Sequence, residues 1–215
     1  RTPLSAALLH ADNLIRRNKQ DKAIDDSGRK IISRLRNIER QIRDMLIFAK
    51  GETTLTSSVS TTELVEHMHE SARDLAAYYG GTLKWRDRSD GAMLNCNLDA
   101  LIGAFLNLLE NAFQASEKNA LVTVSVNVEG ADSEYQEYML SIDITDQGMG
   151  IDESLLKSLE EPFSTTKANG NGLGLAIVRL VCKSHSGKFS LSTNSNEKGA
   201  TAKMLLPVSF TGAGR

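Results

Sequence analysis

A chain of 215 residues that is 40% hydrophobic and 24% charged holds enough apolar material for one ordinary core or two small ones, and its composition is neither fibrous nor disordered. A formal net charge of -2 leaves no general basic excess, which argues against direct nucleic-acid binding. No stretch approaches the roughly 20 apolar residues of a membrane span and no signal peptide opens the chain, so no membrane contact by this segment and a cytoplasmic location are expected. Two cysteines, Cys96 and Cys182, are too few for a disulfide framework or a zinc site and read as buried, inert thiols in a reducing compartment.

The opening, RTPLSAALLHADNL, places Leu4, Leu8, Ala11 and Ile15 on one helical face without a capping residue in front. After the polar connection RRNKQDKAIDDSG, a second apolar series follows: Ile31, Leu35, Ile38, Ile42, Met45 and Ala49 step by four and three, the seam of a coiled coil or bundle, and Gly51 stops it. Residues 1–52 therefore read as an antiparallel helical hairpin. Such a hairpin cannot bury its stripe alone, and pairing with a second copy as a dimeric four-helix bundle is expected. The Ser/Thr-rich GETTLTSSVSTT marks a boundary with room for one short strand.

Beyond it, residues 60–210 alternate. Helices are predicted near 61–79, 98–117 and 172–185, and strands near 82–87, 92–96, 120–129, 136–145, 188–194 and 200–207. The order implies an α/β sandwich, a mixed sheet covered on one face, so that the whole chain is α+β in class. Leu121 to Val126 alternates with the period of a half-exposed strand.

Three stretches carry polar groups that chemistry could use. In the helix LDALIGAFLNLLENAFQAS, a core stripe of Leu98, Leu101, Ile102, Phe105, Leu109 and Ala112 leaves Asn107, Asn111 and Gln114 on roughly the opposite, solvated side, where amide oxygens one turn apart could hold a hard cation such as Mg²⁺. In DITDQGMGID a strand runs into Asp146-Gln147-Gly148-Met149-Gly150. There glycines permit close backbone approach, and a carboxylate at the strand mouth can accept from an exocyclic amine. In EPFSTTKANGNGLGLAIVRL, Lys167 precedes Gly170, Gly172 and Gly174 and then a helix, whose first N–H groups and positive dipole end favour phosphate. The glycines do not follow a strand and no Gly-Lys-Ser/Thr closes the loop, which excludes the Rossmann and Walker A fingerprints.

Taken in order, Asn-x-x-x-Asn, Asp-x-Gly-x-Gly, Pro-Phe with a nearby Lys, and Gly-x-Gly-x-Gly before a helix closely resemble the N, G1, F and G2 boxes of the ATP-binding (Bergerat-type) domain of sensor histidine kinases of two-component systems. Gly199-Ala200-Thr201-Ala202 resembles that domain's last glycine motif. RTPL resembles the residues that follow the phosphoacceptor in this family, in the order His, acidic, apolar, Arg, Thr, Pro, Leu, which implies an acceptor histidine upstream of Arg1. Gln114, where many members carry Lys or Arg, and Asn171, where Thr is frequent, are departures that resemble the nitrogen-regulation branch. The opening resembles the flagellar-regulatory FlrB/FleS type.

The resemblance implies a protein histidine kinase that moves the γ-phosphoryl of ATP to a histidine outside this chain and on to an aspartate of a response-regulator receiver domain, including that of a sigma-54-dependent activator. It makes Asn111 the Mg²⁺ ligand and Asp146 the reader of adenine, with Gly148, Gly150 and Phe163 around the base. Lys167, Gly170, Gly172, Leu173 and Gly174 would hold phosphates, with Thr201 behind them and a mobile lid over about 152–171. Thr2 matches the position that orients water when such a kinase acts as a phosphatase. Asn107 stands where gyrase- and Hsp90-type relatives carry a Glu that activates water; an amide cannot act as that base, which favours phosphoryl transfer over hydrolysis. Glu110 faces another direction, and His10, His67, His69 and His185 read as structural. Two rival readings stay open here: an ATP-driven clamp of the gyrase or Hsp90 type, and a nucleotide-binding dimer module without turnover.

Overall fold

The computed structural model describes residues 3–17, 51, 53–89, 91–116, 120–130, 137–151, 172–194 and 198–210, and within 21–49 positions 21, 23–25, 27, 28, 31, 32, 35, 38, 42, 45–47 and 49. The chain divides into two compact units, Arg1–Ala49 and Lys50–Arg215.

The first unit is helical. Helix α1 (Pro3–Arg17) ends on Arg16 and Arg17, cations that suit the negative end of its dipole. Arg16 pairs with Asp12 one turn back, Nε to Oδ2 at 2.7 Å. The polar connection is shorter than its composition suggests, because Asp21 starts the next helical stretch. Its Oδ1 accepts from the Ala23 N–H at 3.0 Å and the Ile24 N–H at 3.3 Å, an N-cap that satisfies two otherwise orphaned donors. Gly28 sits where a Cβ would run into Ile15, so a small residue here lets the two helical stretches approach. Ala11 is buried as expected, but Ile31, Ile38, Ile42 and Met45 are each about half exposed, with Leu9 and Leu14 similar on α1.

The second unit runs β1 (Ser57–Ser60), α2 (Thr61–Tyr79), β2 (Thr82–Arg88), β3 (Met93–Cys96), α3 (Leu98–Ala115), β4 (Leu121–Glu129), β5 (Tyr138–Thr145), α4 (Gly174–Ser184), β6 (Lys188–Thr193) and β7 (Ala200–Val208). Local chemistry sets the boundaries. The Ser60 hydroxyl caps α2 by accepting from Glu63, and Gly80 closes it in the left-handed region at φ 63°, which glycine adopts without the Cβ penalty. Asn97 caps α3 through the Ala100 N–H at 3.1 Å. The five-stranded sheet has the order β2-β4-β5-β7-β6, with β2 parallel to β4 and the remaining pairs antiparallel. β1 and β3 form a separate antiparallel ribbon, so the consecutive strands β2 and β3 do not form a hairpin.

One sheet face carries the core. Val122, Val124, Val126, Leu140, Ile142, Ile144, Met204 and Leu206 are buried, alternating with polar or half-exposed residues except at Leu205, which is itself buried, and Lys203 pairs with Glu129 at 2.8 Å on the opposite face. The three described helices of this unit cover the apolar face. Trp85 of β2 meets His69 of α2 at a ring distance of 3.8 Å and Phe105 of α3 at 6.0 Å, while Arg179 of α4 lies 5.7 Å over Phe189 of β6. The sandwich with a mixed sheet, covered on one side, is the architecture expected.

Candidate nucleotide site

β5 ends at Thr145 and delivers Asp146 into a turn held by three hydrogen bonds to the backbones of Gly148 and Ala200. The Asp146 N–H donates to the Ala200 carbonyl at 3.0 Å; its Oδ1 accepts from the Gly148 N–H at 2.8 Å and from the Ala200 N–H at 3.2 Å. Asn194 Nδ2 donates to the Asp146 carbonyl at 3.2 Å, and Asn194 Oδ1 accepts from Thr201 Oγ1, which also meets Thr145 Oγ1 at 2.9 Å. Asp146 is therefore buried but not isolated. Burial raises its pKa above the usual carboxylate value, and the Gly148 and Ala200 N–H groups counter that shift by bonding the charged form. Both bonds fall on Oδ1, which leaves Oδ2 without a hydrogen-bond partner among the described residues.

The glycines around it are required by space. A Cβ on Gly199, whose φ is 106°, would strike the Asp146 carbonyl oxygen, and one on Gly148 would strike the Ala115 carbonyl at the end of α3. Gly150 adopts φ 77° and Gly172 φ 65°, conformations that side-chain-bearing residues rarely take. Met149, between the two glycines of the turn, is 90% exposed.

Helix α3 links this turn to the glycine-led helix start. Ala115 touches Gly148 at one end, and Asn107 lies opposite Gly174, where a Cβ would stand 4.0 Å from the Asn107 side chain. Asn111 falls midway on the same stripe, half-buried. At 1.5 Å per residue the stripe from 107 to 115 spans about 12 Å. Asn107 is buried, which corrects the expectation of a solvated polar stripe: close packing of α4 through Gly174 covers it. α4 starts at Gly174 after the buried Leu173, an N-cap residue whose apolar side chain makes no capping hydrogen bond.

Gln114 and Glu110 are engaged elsewhere. Gln114 Nε2 donates to the Tyr79 hydroxyl at 2.9 Å, and that hydroxyl donates to Glu110 Oε1 at 3.0 Å. Burial, with the Glu110 charge adding to it, pushes the Tyr79 phenol up to about 12 against the opposing Gln114 bond. Glu110 thus points toward α2, in keeping with its exclusion as a base at Asn107. His185 is a turn residue just after α4 and also a buried connector between α4 and α3. His69 is half-buried and stacks on Trp85. Cys96 and Cys182 are buried and free, and burial raises both thiols. Thr2, Phe163, Lys167, Gly170 and the expected lid over 152–171 lie outside the described residues.

Residues 96–209, just over half of the chain, match the family of histidine kinase-, DNA gyrase B- and HSP90-like ATPases. The chain belongs to this family. Within it, the chain is 38% identical over 211 residues to the sensor protein kinase FleS of Pseudomonas aeruginosa, covering 97% of this chain and 49% of FleS. It thus spans about half the length of that relative. Among solved structures, the mycobacterial sensor histidine kinase MprB superposes with a TM-score of 0.61 at 23% identity, over 72% of this chain and 99% of that one. Full-length ShkA in complex with AMPPNP superposes with a TM-score of 0.67 at 20% identity, over 99% of this chain and 44% of that one. These likenesses agree with the α/β sandwich of this ATPase family. Among the described residues no helix is long and apolar enough to cross a membrane.

The sequence reading missed Asn194 and the part played by Ala115. Asn194 carries no motif signal, since its function is to tie β6 to the Asp146 carbonyl across the sheet. Ala115 could have been sought from Gly148, because a glycine two residues after Asp146 suggests some backbone close by.

Proposed function

We propose that this chain is the cytoplasmic catalytic core of a sensor histidine kinase, which transfers the γ-phosphoryl of Mg-ATP to a histidine outside this chain and then to an aspartate on a response-regulator receiver domain. The observation that carries this reading is the α3 stripe. It carries an amide oxygen at Asn111 between the carboxylate of Asp146 and the glycine-led start of α4 beside Asn107, which supports the order that an adenine, the metal-bound phosphates and their far end would require.

The cradle fits a nucleotide on its own chemistry. Asp146 Oδ2 accepts from the adenine amine while the Gly148 and Ala200 N–H groups hold the other oxygen, and the glycines at 148 and 199 leave room only for backbone. Asn111 offers the hard amide oxygen that Mg²⁺ takes, and Lys167 and the N–H groups after Gly172 hold phosphate. Bound Mg²⁺ supplies charge neutralisation along the phosphates. Phosphoryl transfer needs positioning and charge compensation more than covalent help from the protein. Asn107, a buried amide, cannot deprotonate a water, so the residues here favour a protein acceptor over hydrolysis and weigh against a gyrase- or Hsp90-type clamp.

The half-exposed seam of Ile31, Ile38, Ile42 and Met45 supports a homodimer in which two first units form a four-helix bundle, since exposed apolar stripes of this length mark an interface. Thr2 would orient water for the reverse, phosphatase reaction. The similarity to the sensor protein kinase FleS supports a place among the flagellar-regulatory sensor kinases, and a receiver partner belonging to a sigma-54-dependent activator is part of the same proposal.

Calorimetric titration with Mg-ADP and Mg-GDP tests the site: adenine nucleotide binds and guanine nucleotide does not. Equal affinity for the two removes Asp146 as the reader of the base.

A further inference from the structure

The far end of the α3–α4 pair is built as carefully as the nucleotide end. α3 and α4 run antiparallel, with Gly174 opposite Asn107 at one end and His185 beside Asn97 at the other. Asn97 is the hub. Its main-chain N–H donates to His185 Nε2 at 2.9 Å, its side-chain oxygen caps α3 at Ala100, and its side-chain Nδ2 donates to the Thr54 carbonyl at 3.1 Å. His185 Nδ1 bonds the Val181 carbonyl at 2.7 Å, so the ring pins the last turn of α4 to the first turn of α3. With Nε2 accepting, Nδ1 carries the proton and the ring is neutral.

The segment entering the second unit is fastened to these same helix ends. The Thr53 N–H donates to Ser184 Oγ at 3.0 Å, and the Thr56 N–H and the Ser57 hydroxyl both donate to the Cys96 carbonyl, at 3.0 and 3.1 Å. Only then does β1 pair with β3. The attachment is not a settled core contact: Thr53 Oγ1 is buried without a hydrogen-bond partner among the described residues, a local cost that a released strap would recover by hydration. Two side-chain bonds, from Ser184 and Asn97, hold Thr53 and Thr54 in place.

We propose that Thr53 and Thr54 form a releasable strap whose attachment to Ser184 and Asn97 is coupled, through the antiparallel α3–α4 pair, to nucleotide occupancy at the opposite end of those helices. The proposal rests on the nucleotide reading above. A ligand that fixes Gly174 against Asn107 restrains both helices, and a restrained pair presents Ser184 and Asn97 together more of the time; by linkage, a fastened strap tightens nucleotide binding by the same factor. His185 and Asn97 are positioning residues in this scheme, since neither reaches the nucleotide.

The test uses the whole 215-residue chain and amide hydrogen exchange followed by NMR, with Mg-AMPPNP as the probe. Saturating nucleotide is expected to slow exchange at Thr53 and Asn97 about fivefold or more, while amides of the sheet core such as Ile142 stay unchanged. In Ser184→Ala combined with Asn97→Asp, α3 keeps a side-chain cap and α4 gains a good helix former, but both fastenings to the strap are lost. Thr53 then exchanges fast with and without nucleotide, and Mg-AMPPNP affinity falls by the factor that separated the two states in the parent chain. Nucleotide that binds the parent chain by calorimetry yet leaves Thr53 and Asn97 exchange unchanged overturns the coupling alone. So does a double variant that keeps the nucleotide-dependent slowing. Absence of any nucleotide heat overturns the site reading, and the coupling falls with it.

Discussion

In the second unit Leu64, Phe105, Ile142, Ile177 and Met204 are sealed, whereas in the first Ile31, Ile38, Ile42 and Met45 each leave about half of their surface open; among the described apolar side chains there, only Ala11 is buried. A sheet with three helices on one face closes a core by itself. Two helical stretches cannot, because each presents one stripe and a pair has nothing to lay across the seam. On the proposed dimer, the same kind of residue serves two ends, internal stability in one unit and assembly in the other. A substitution should report which end it serves.

The sharpest break comes from charge in the seam. Ile38→Glu with Ile42→Glu places two carboxylates per chain where a dimer would bury them, at a cost of several kcal/mol per uncompensated ion. Sedimentation should show a monomer where the parent chain is a dimer at tens of micromolar, with the melting transition of the second unit unmoved. A parent chain that sediments as a monomer at that concentration means the seam has another use.

The converse experiment is Phe105→Ala, which empties the space under Trp85 and costs about 3–5 kcal/mol. For a unit of this size that lowers its melting point by about 10 °C. Dimerisation, read below that transition, should survive. Loss of the dimer at temperatures where the second unit is still folded would mean that the two units do not divide the work as the burial pattern implies.

Asp146→Asn sharpens the contrast within the second unit, between residues that hold the fold and those that hold a ligand. An amide oxygen can still accept from Gly148 and Ala200, so stability changes little, while adenine nucleotide loses a charge-assisted hydrogen bond. The expected loss is about 1.5–3 kcal/mol, or roughly 10- to 150-fold in affinity by calorimetry. An unchanged dissociation constant would remove Asp146 from the binding machinery.

The helices and strands were legible because their periodicity is local. The stripe of α3 and the alternation of Leu121 to Val126 are written within one element, and Asp146 announces itself where a strand runs into Gly-x-Gly. Pairing was not legible. β2 lies parallel to β4 and β3 joins β1, pairings between strands far apart in the chain that the turn between 88 and 93 does not reveal. Asn107 shows the same limit inside the site. Its helical position is polar by periodicity, yet it is buried because a glycine 67 positions later lets another helix reach it. His185 looked like punctuation after α4, and its partner, the Asn97 N–H, can be found only in three dimensions.

That bond yields the last and smallest expected effect. His185 is buried and neutral, with Nε2 accepting from Asn97 and Nδ1–H donating to Val181; burial lowers its pKa below the ordinary value of 6.5, and the Val181 bond opposes that shift without cancelling it. As pH falls through 6.5 the unfolded chain takes up this proton before the folded one does, so unfolding gains a favourable proton-binding step. The stabilisation is complete above about pH 6.5, drains away between 6.5 and the lower folded value, and is constant below that. Asp146 and Asp143, raised by burial, act with the opposite sign: the folded state binds their protons first, and they favour folding on acidification. His69 is lowered like His185, by burial first and then by the Arg73 charge. All three remain in His185→Gln, which offers a donor and an acceptor but does not titrate, so the difference between the melting curves of the two proteins isolates His185. The parent's second-unit transition should soften on acidification from pH 7.5 to 5.5 by more than the variant's does. Parallel profiles over that range would show that the ring does not titrate between folded and unfolded states, and that the Asn97 junction is held by something other than a neutral imidazole.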